Sequence, residues 1–251
     1  MRLTVLGSSP AVPNPGGACS GYLVEHESQR LLLECGHGVV SVLRTVQPLS
    51  KLSAILVSHM HADHFFDLVP LAYGYLFGDL AAVPLYLPPG GIDTLERLQQ
   101  AIGLSSRFFA DRFELQEFDP DQTLLLDGLS LTFAPTVHYV PAWAIRISQG
   151  SDGGKVLAYT SDTAWSDDVI KLLDDASLAI VEAAVEEYDP QDDSHGHLTG
   201  TLAGAMAARA AVDRLVLTHY QRERAEELKN QATRAFGRSV FMATERQAFD
   251  L

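Results

Sequence analysis

The amino-acid sequence predicts an α/β protein built on two β-sheets with helices on their outer faces. Apolar segments of strand length come in runs, and helical patterns lie between the later ones. A single doubly wound sheet would instead show a regular alternation of strands and helices along the whole chain. At 251 residues the chain is long enough for a sizeable core, and we expect one domain over residues 1–251.

The first part of the chain is rich in predicted strands. Apolar runs predict strands at Leu3–Leu6, Tyr22–Glu25, Arg30–Glu34, Ala54–Val57 and Val83–Leu87. Gly36 and Gly38 end the third of these strands. Helical patterns predict a helix over Val39–Thr45, a helical start to the apolar stretch Phe65–Tyr75, and a helix over Asp93–Ile102.

The second part of the chain begins with a run of strands and continues with alternating helices and strands. The run consists of Phe113–Phe118, Leu129–Ala134, Ala142–Ile147 and Val156–Thr160. The later helices are predicted at Asp167–Leu173, Thr201–Ala211 and Arg222–Phe236, and the later strands at Leu178–Glu182, Arg214–Leu217 and Val240–Thr244. This order favours a second sheet of mixed direction covered by helices.

The composition limits the classes of function. The formal net charge is −14, and no Lys/Arg-rich cluster occurs, whereas a protein that binds a phosphate polymer usually offers a basic face. A small substrate, or metal ions that supply positive charge, fits better. We expect a cytoplasmic protein without a membrane segment, because no apolar run could span a bilayer and the N-terminus lacks the features of a signal peptide. The two cysteines, Cys19 and Cys35, provide no disulfide framework.

A dense group of metal-ligating residue types follows the predicted strand Ala54–Val57. It contains His59, His61, Asp63 and His64 within six residues. Imidazole and carboxylate are ligands of divalent zinc, iron and manganese. Residues two apart on an extended backbone point the same way, so His59 and His61 can bind one ion while the last two turn towards a second.

Three further candidate ligands follow other predicted strands. These are His138, Asp162 and His219, each just after an apolar run. Strand ends can bring residues that are distant in sequence to one rim of a fold, where function is often located. Because the first group offers too few ligands for two ions, we predict that all three complete a metal site.

The pattern H-x-H-x-D-H, followed by His, Asp and His after successive strands, resembles the metallo-β-lactamase superfamily of metallohydrolases. The resemblance extends from Gly7 to His219, although many members have Asp where Glu34 stands. It implies a four-layer αββα sandwich with the site at one edge of two mixed sheets. It also implies one ion on His59, His61 and His138, a second on Asp63, His64 and His219, and Asp162 bridging both.

A later segment is similar to the ribonuclease Z-like branch of that superfamily. Glu182 ends a predicted strand, and His197 lies in Ser194–Thr199, just before a helix. The resemblance implies that His197, oriented by Glu182, assists phosphodiester cleavage; a carboxylate beside an imidazole favours its protonated form. Two ions about 3.5–4 Å apart can share a hydroxide near neutral pH. We expect this bridging hydroxide to attack phosphorus while Asp63 helps to orient it.

The substrate stays open between several classes. The residues after His64 depart from the glycine- and proline-rich run of ribonuclease Z, no basic arm for tRNA occurs, and the net charge opposes tRNA binding. A phosphodiesterase for small phosphodiesters such as cyclic nucleotides is therefore the favoured interpretation, and a ribonuclease Z-type tRNA 3′-processing nuclease is the alternative. Lactonase, thioesterase or arylsulfatase activity shares the same ligands. A redox or binding protein is disfavoured, because His61 stands where the redox relatives usually have Glu.

The expected cofactors are two divalent metal ions. Zinc fits the ligand set best, and the same residues accept manganese or iron. Dimerisation is common among the relatives, so a homodimer belongs to what the resemblance implies.

Overall fold

The protein is described here by a computed structural model, which covers residues 1–150, 154–185 and 196–251. The first sheet contains β1 (Arg2–Gly7), β2 (Gly21–His26), β3 (Gln29–Leu33), β4 (Ala54–Leu56), β5 (Val83–Leu87), β6 (Phe113–Glu117) and the last strand of the chain, β14 (Ala248–Asp250). Its order is β14-β1-β2-β3-β4-β5-β6. The strands from β14 to β3 pair antiparallel, and those from β3 to β6 pair parallel.

The second sheet contains β7 (Leu124–Leu126), β8 (Leu129–Pro135), β9 (Trp143–Gln149), β10 (Val156–Tyr159), β11 (Leu178–Glu182), β12 (Leu215–Thr218) and β13 (Val240–Met242). Its order is β13-β12-β11-β10-β9-β8-β7, parallel from β13 to β10 and antiparallel from β10 to β7. The prediction of two mixed sheets is therefore confirmed.

Helices cover the outer faces of both sheets. They are α1 (Val39–Val46), α2 (Ala62–Phe65), α3 (Leu68–Phe77), α4 (Gly91–Ala101), α5 (Asp167–Leu173), α6 (Gly200–Arg209) and α7 (Ala225–Phe236), with short 3-10 turns at Leu49–Lys51 and Arg222–Arg224. The first four follow strands of the first sheet, and the last three belong to the second sheet. Among the described residues, none of these helices has the length and apolar character needed to cross a bilayer.

Alternation along the strands explains the four layers. Leu31 and Leu33 of β3 pack between the sheets, whereas Leu32 faces the helices of the first sheet. In β11, Leu178 and Ile180 pack between the sheets, and their neighbours face the outer helices. Strands that are buried on both faces need nearly continuous apolar sequence, so apolar runs in the sequence predict them.

The structure refines one detail of the sequence prediction and corrects two. The stretch Phe65–Tyr75 begins in a helix, as predicted, but α2 and α3 are separated at Asp67, whose carboxylate accepts a hydrogen bond from the backbone nitrogen of Val40 (2.9 Å). The predicted helix Arg222–Phe236 begins with a 3-10 turn. The strands β7 and β14 are not among the predicted strands; each has three residues and is defined by its pairing with β8 or β1.

Candidate metal centre

The predicted ligands lie where the carboxyl ends of strands from both sheets meet. β10, β11 and β12 run parallel, and β8 has the same direction because two antiparallel pairings separate it from β10. His138, Asp162 and His219 each follow one of these strands, and the His59–His64 segment follows β4 of the facing sheet. Parallel strand ends at one edge are the ordinary location of sites in α/β folds.

Four side chains form a first cluster: His59, His61, His138 and Asp162. One ligand atom from each lies within 4.8 Å of all the others. Nδ1 of His61 is 3.0 Å from Nε2 of His138. Oδ2 of Asp162 is 3.9 Å from Nε2 of His59 and 3.9 Å from Nε2 of His138.

Four side chains form a second cluster: Asp63, His64, Asp162 and His219. Oδ2 of Asp63 is 3.0 Å from Nε2 of His219 and 3.6 Å from Nε2 of His64. Oδ2 of Asp162 is 3.4 Å from the same two nitrogen atoms. The structure thus brings all seven predicted ligands together, in the two groups that the family resemblance implies and with Asp162 common to both. Their role as ligands stays a prediction.

The spacing within both clusters fits divalent metal ions. Around a zinc ion bound at about 2.0–2.1 Å, neighbouring atoms of a ligand tetrahedron lie about 3.3 Å apart. Within the described residues, Nε2 of His59, Nε2 of His64 and Oδ1 of Asp162 are buried without a hydrogen-bond partner. Buried polar atoms rarely stay unpaired, and a metal ion would satisfy these atoms. Fold and cluster together indicate divalent metal binding.

Two imidazoles of the first cluster have hydrogen-bond partners at the ring nitrogen that faces away from the cluster. Nδ1 of His59 lies 3.0 Å from the hydroxyl of Ser58, which in turn lies 2.7 Å from the hydroxyl of Ser161. Nδ1 of His138 lies 2.9 Å from the carbonyl oxygen of Gly196. Such contacts fix the ring orientation and leave the other nitrogen free for an ion.

Glu34 supports the second cluster, and sequence reasoning placed it only at the end of a strand. It is fully buried, and its Oε1 lies 3.5 Å from Nδ1 of His64. Its Oε2 accepts a hydrogen bond from the backbone nitrogen of Ser58 (3.1 Å). Its backbone is left-handed (φ 63°), which carries the chain out of β3. A carboxylate directly after the apolar run Leu31–Leu33 was the signal that could have identified it.

Glu182 and His197 form the pair that the family resemblance implies. Nδ1 of His197 donates to Oε1 of Glu182 at 2.8 Å, and Glu182 is fully buried. The carboxylate also accepts hydrogen bonds from the backbone nitrogens of Thr163 (2.8 Å) and Ala184 (3.0 Å). The ring of His197 stacks 5.6 Å from that of His219, so the pair borders the second cluster. The preceding histidine of this segment, His195, lies outside the described residues.

The protonation states differ across the site. Burial favours the neutral form of His197, but the hydrogen bond and charge of Glu182 outweigh it and raise the pKa of His197 to about 9. Burial lowers the pKa of His138 to about 4 and holds the pKa of His59 well below its usual range. For His64, burial is outweighed by the charges of Asp162 and Glu34, which raise its pKa well above the usual range.

This fold and this site define a metal-dependent hydrolase. A model of the β-lactamase superfamily domain matches residues 29–220, which is most of the chain. The chain belongs to the metallo-β-lactamase superfamily, as the sequence pattern predicts.

Three known proteins are similar to this chain in sequence or in fold. The probable metallo-hydrolase YhfI of Bacillus subtilis is 32% identical over 225 residues, which cover 87% of this chain and 86% of that protein. Its crystal structure superposes with a TM-score of 0.86 at 30% identity and covers 99% of this chain and 98% of that one. A ribonuclease Z of Mycobacterium bovis is 28% identical and covers 88% of this chain and 86% of its own length. A diphosphatase of the PhnP family shares the fold, with a TM-score of 0.78 at 19% identity and coverage of 100% and 97%. The similarities to YhfI and to the ribonuclease Z support the ribonuclease Z-like branch.

Proposed function

We propose that the chain is a binuclear phosphodiesterase that hydrolyses small phosphodiesters such as cyclic nucleotides. The observation that carries this proposal is the buried pair of Glu182 and His197 beside two His/Asp clusters. A thioester expels a thiolate, which is a good leaving group and needs no such acid, whereas an alkoxide leaving from phosphorus needs a proton.

The proposed ligands divide into the two clusters described above. His59, His61 and His138 would hold one ion, Asp63, His64 and His219 would hold the other, and Asp162 would touch both. Zinc fits these nitrogen and oxygen donors best. When bound, two such ions supply Lewis-acid stabilisation of a phosphoryl oxygen and lower the pKa of bound water.

Side chains of the protein would orient the attacking water and protonate the leaving group. Asp63 would accept a hydrogen bond from the attacking water and hold it in line with phosphorus. His197, kept protonated by Glu182, would donate its proton from Nε2 to the leaving oxygen. Glu182 cannot move far, since two backbone nitrogens also bind its carboxylate. It therefore fixes both the orientation and the charge of His197.

Charge supports a small substrate. The net charge of −14 repels a long phosphate backbone, and two bound ions supply only local positive charge. The second candidate is a ribonuclease Z-type nuclease, favoured by the similarity to the mycobacterial ribonuclease Z. It requires a basic surface for the tRNA body and binding that weakens steeply with salt. A homodimer, which the family resemblance implies, belongs to this proposal and is checked by light scattering.

A substrate panel with a matched pair of leaving groups tests the proposal. The metal-loaded protein is given bis-p-nitrophenyl phosphate, 2′,3′- and 3′,5′-cyclic nucleotides, precursor tRNA, a lactone and a thioester. We expect turnover of the cyclic nucleotides, and a loss of about 10²- to 10⁴-fold in His197→Ala. The loss of activity should be much smaller for bis-p-nitrophenyl phosphate, because its leaving group, p-nitrophenolate, departs without a proton.

Two controls separate chemistry from metal loss. His197→Ala should keep its metal content, whereas His59→Ala should lose metal as well as activity. Turnover of only the lactone and thioester, or undiminished turnover by His197→Ala on every phosphodiester, would contradict the proposal. Preference for precursor tRNA would favour the second candidate.

A further inference from the structure

Tyr139 is an exposed aromatic residue at the edge of the metal centre. It directly follows His138, and 61% of its surface is exposed. Its ring lies 5.0 Å from that of His138 and 5.8 Å from that of His197. Tyr139 therefore touches both a proposed metal ligand and the proposed proton donor.

The ring of Tyr139 is held in place by packing. A Cβ atom on Gly196 would lie 2.8 Å from Cε2 of the tyrosine and 2.9 Å from Nδ1 of His138, so only glycine allows this close approach. The turn that carries Tyr139 is closed by a hydrogen bond from the backbone nitrogen of Thr136 to the carbonyl oxygen of Ala142 (3.0 Å). A fixed aromatic ring loses little entropy when a ligand covers it.

The loop that carries Ala164 and Trp165 lies beside the loop of Tyr139 and adds exposed apolar surface. The backbone nitrogen of Ala164 donates to the carbonyl oxygen of Val137 at 2.7 Å, which joins the two loops. Both loops carry exposed apolar side chains, Val137 at 49% and Trp165 at 36%. Exposed aromatic residues beside a polar site cost solvation free energy, and they are common where a ring of a ligand binds.

We infer that Tyr139 forms a stacking surface for the planar ring of the leaving alcohol, so that the site prefers phosphodiesters whose leaving alcohol is a nucleoside. This inference rests on the proposed function, because His197 marks the side of the leaving oxygen. In a nucleotide, one ribose separates that oxygen from the base. The rings of Tyr139 and His197 are 5.8 Å apart, so a base could stack on Tyr139 while His197 reaches the leaving oxygen across the ribose.

The test uses two 5′-phosphates, one with a base and one with a hydroxyl at the same sugar carbon: adenosine 5′-monophosphate and ribose 5-phosphate. Binding to the metal-loaded protein is measured by calorimetry, which does not depend on turnover. Stacking of one base on an aromatic side chain corresponds to a factor of about 5 to 150 in affinity. We expect Tyr139→Ala to weaken binding of the nucleotide by that factor and leave ribose 5-phosphate unchanged, while Tyr139→Phe retains nucleotide affinity.

A kinetic comparison gives the second readout. KM for adenosine 2′,3′-cyclic phosphate should rise in Tyr139→Ala by a similar factor, and KM for glycerol 1,2-cyclic phosphate should not. Phe77→Ala is the matched control, since Phe77 is 81% exposed at the end of α3 and belongs to neither loop. It should change neither constant.

The outcomes distinguish this inference from the proposed function. Equal binding of both ligands by the unaltered protein, or an equal loss of both in Tyr139→Ala, overturns the stacking surface and leaves phosphodiester hydrolysis intact. An equal loss would show that Tyr139 only positions the rings of His138 and His197. If no phosphodiester is cleaved, the proposed function fails, and with it the assignment of the leaving-alcohol side.

Discussion

The two His/Asp clusters share one carboxylate but differ in burial and charge. The first cluster has three imidazoles and Asp162, and one of its members, His61, is only partly buried, whereas the side chain of His138 is buried. The second cluster adds Asp63 to the shared Asp162, and all four of its side chains are buried. With neutral imidazoles, the first cluster carries one negative charge and the second carries two. The second therefore attracts a cation more strongly but must keep it in a more enclosed place.

Proton competition also separates the two clusters. Burial lowers the pKa of His59 and His138, so both are neutral and ready to bind an ion at pH 7. The carboxylates Asp162 and Glu34 instead raise the pKa of His64, so an ion entering the second cluster has to displace a proton. One shared carboxylate thus joins a site that accepts metal directly to a site that exchanges a proton for metal.

Substitution of the shared residue, Asp162, should weaken metal binding at both clusters. Asp162→Asn keeps the side-chain shape but removes the charge common to both clusters, so we expect metal loss from both and a fall in activity of at least about 10³-fold. Elemental analysis of the dialysed protein measures the first effect. Asp167→Asn, at an exposed position that pairs with Arg209, should keep metal and activity. Retention of both metals in Asp162→Asn would refute its shared role.

Lowering the pH should weaken zinc binding at the second cluster more than at the first. Below the raised pKa of His64, affinity falls about tenfold for each pH unit because one proton must leave, so lowering pH from 7 to 5 should weaken zinc binding at the second cluster about a hundredfold. The first cluster should change much less in this range, since the pKa of His138 is about 4. Chelator competition measures each cluster alone, with His138→Ala for the second and His64→Ala for the first. Parallel acid dependence of the two variants would contradict the comparison.

Sequence alone predicted that the candidate ligands lie close together, because ligand chemistry and strand position coincide. His59, His138 and His219 each follow an apolar run, and such runs are readable when both faces of a strand are buried. The pairing of His197 with Glu182 was also predicted, but from the family resemblance. Its 2.8 Å contact depends on how β11 aligns with the loop before α6, and no local pattern specifies this.

The supporting residues were harder to predict. Glu34 lies far from His64 in sequence, and its contact arises only because β3 and β4 pair in parallel. Tyr139 is exposed like many loop residues, and only its packing on Gly196 and two histidine rings distinguishes it. Contacts made across strands and loops are set by tertiary packing, which periodicity does not record.

The smallest expected effects come from the groups behind the imidazoles, and they differ between clusters. Glu34→Gln removes the carboxylate behind His64 and should weaken metal binding at the second cluster about 10- to 100-fold. Ser58→Ala removes only a neutral hydroxyl behind His59 and should weaken the first cluster about fivefold, as expected for one ordinary hydrogen bond. Each substitution should leave the other cluster unchanged, because Glu34 contacts Nδ1 of His64 and the Ser58 hydroxyl contacts Nδ1 of His59. Zinc affinities measured in the backgrounds His138→Ala and His64→Ala decide this. If Glu34→Gln weakened both clusters alike, Glu34 would act through the backbone nitrogen of Ser58 rather than through His64.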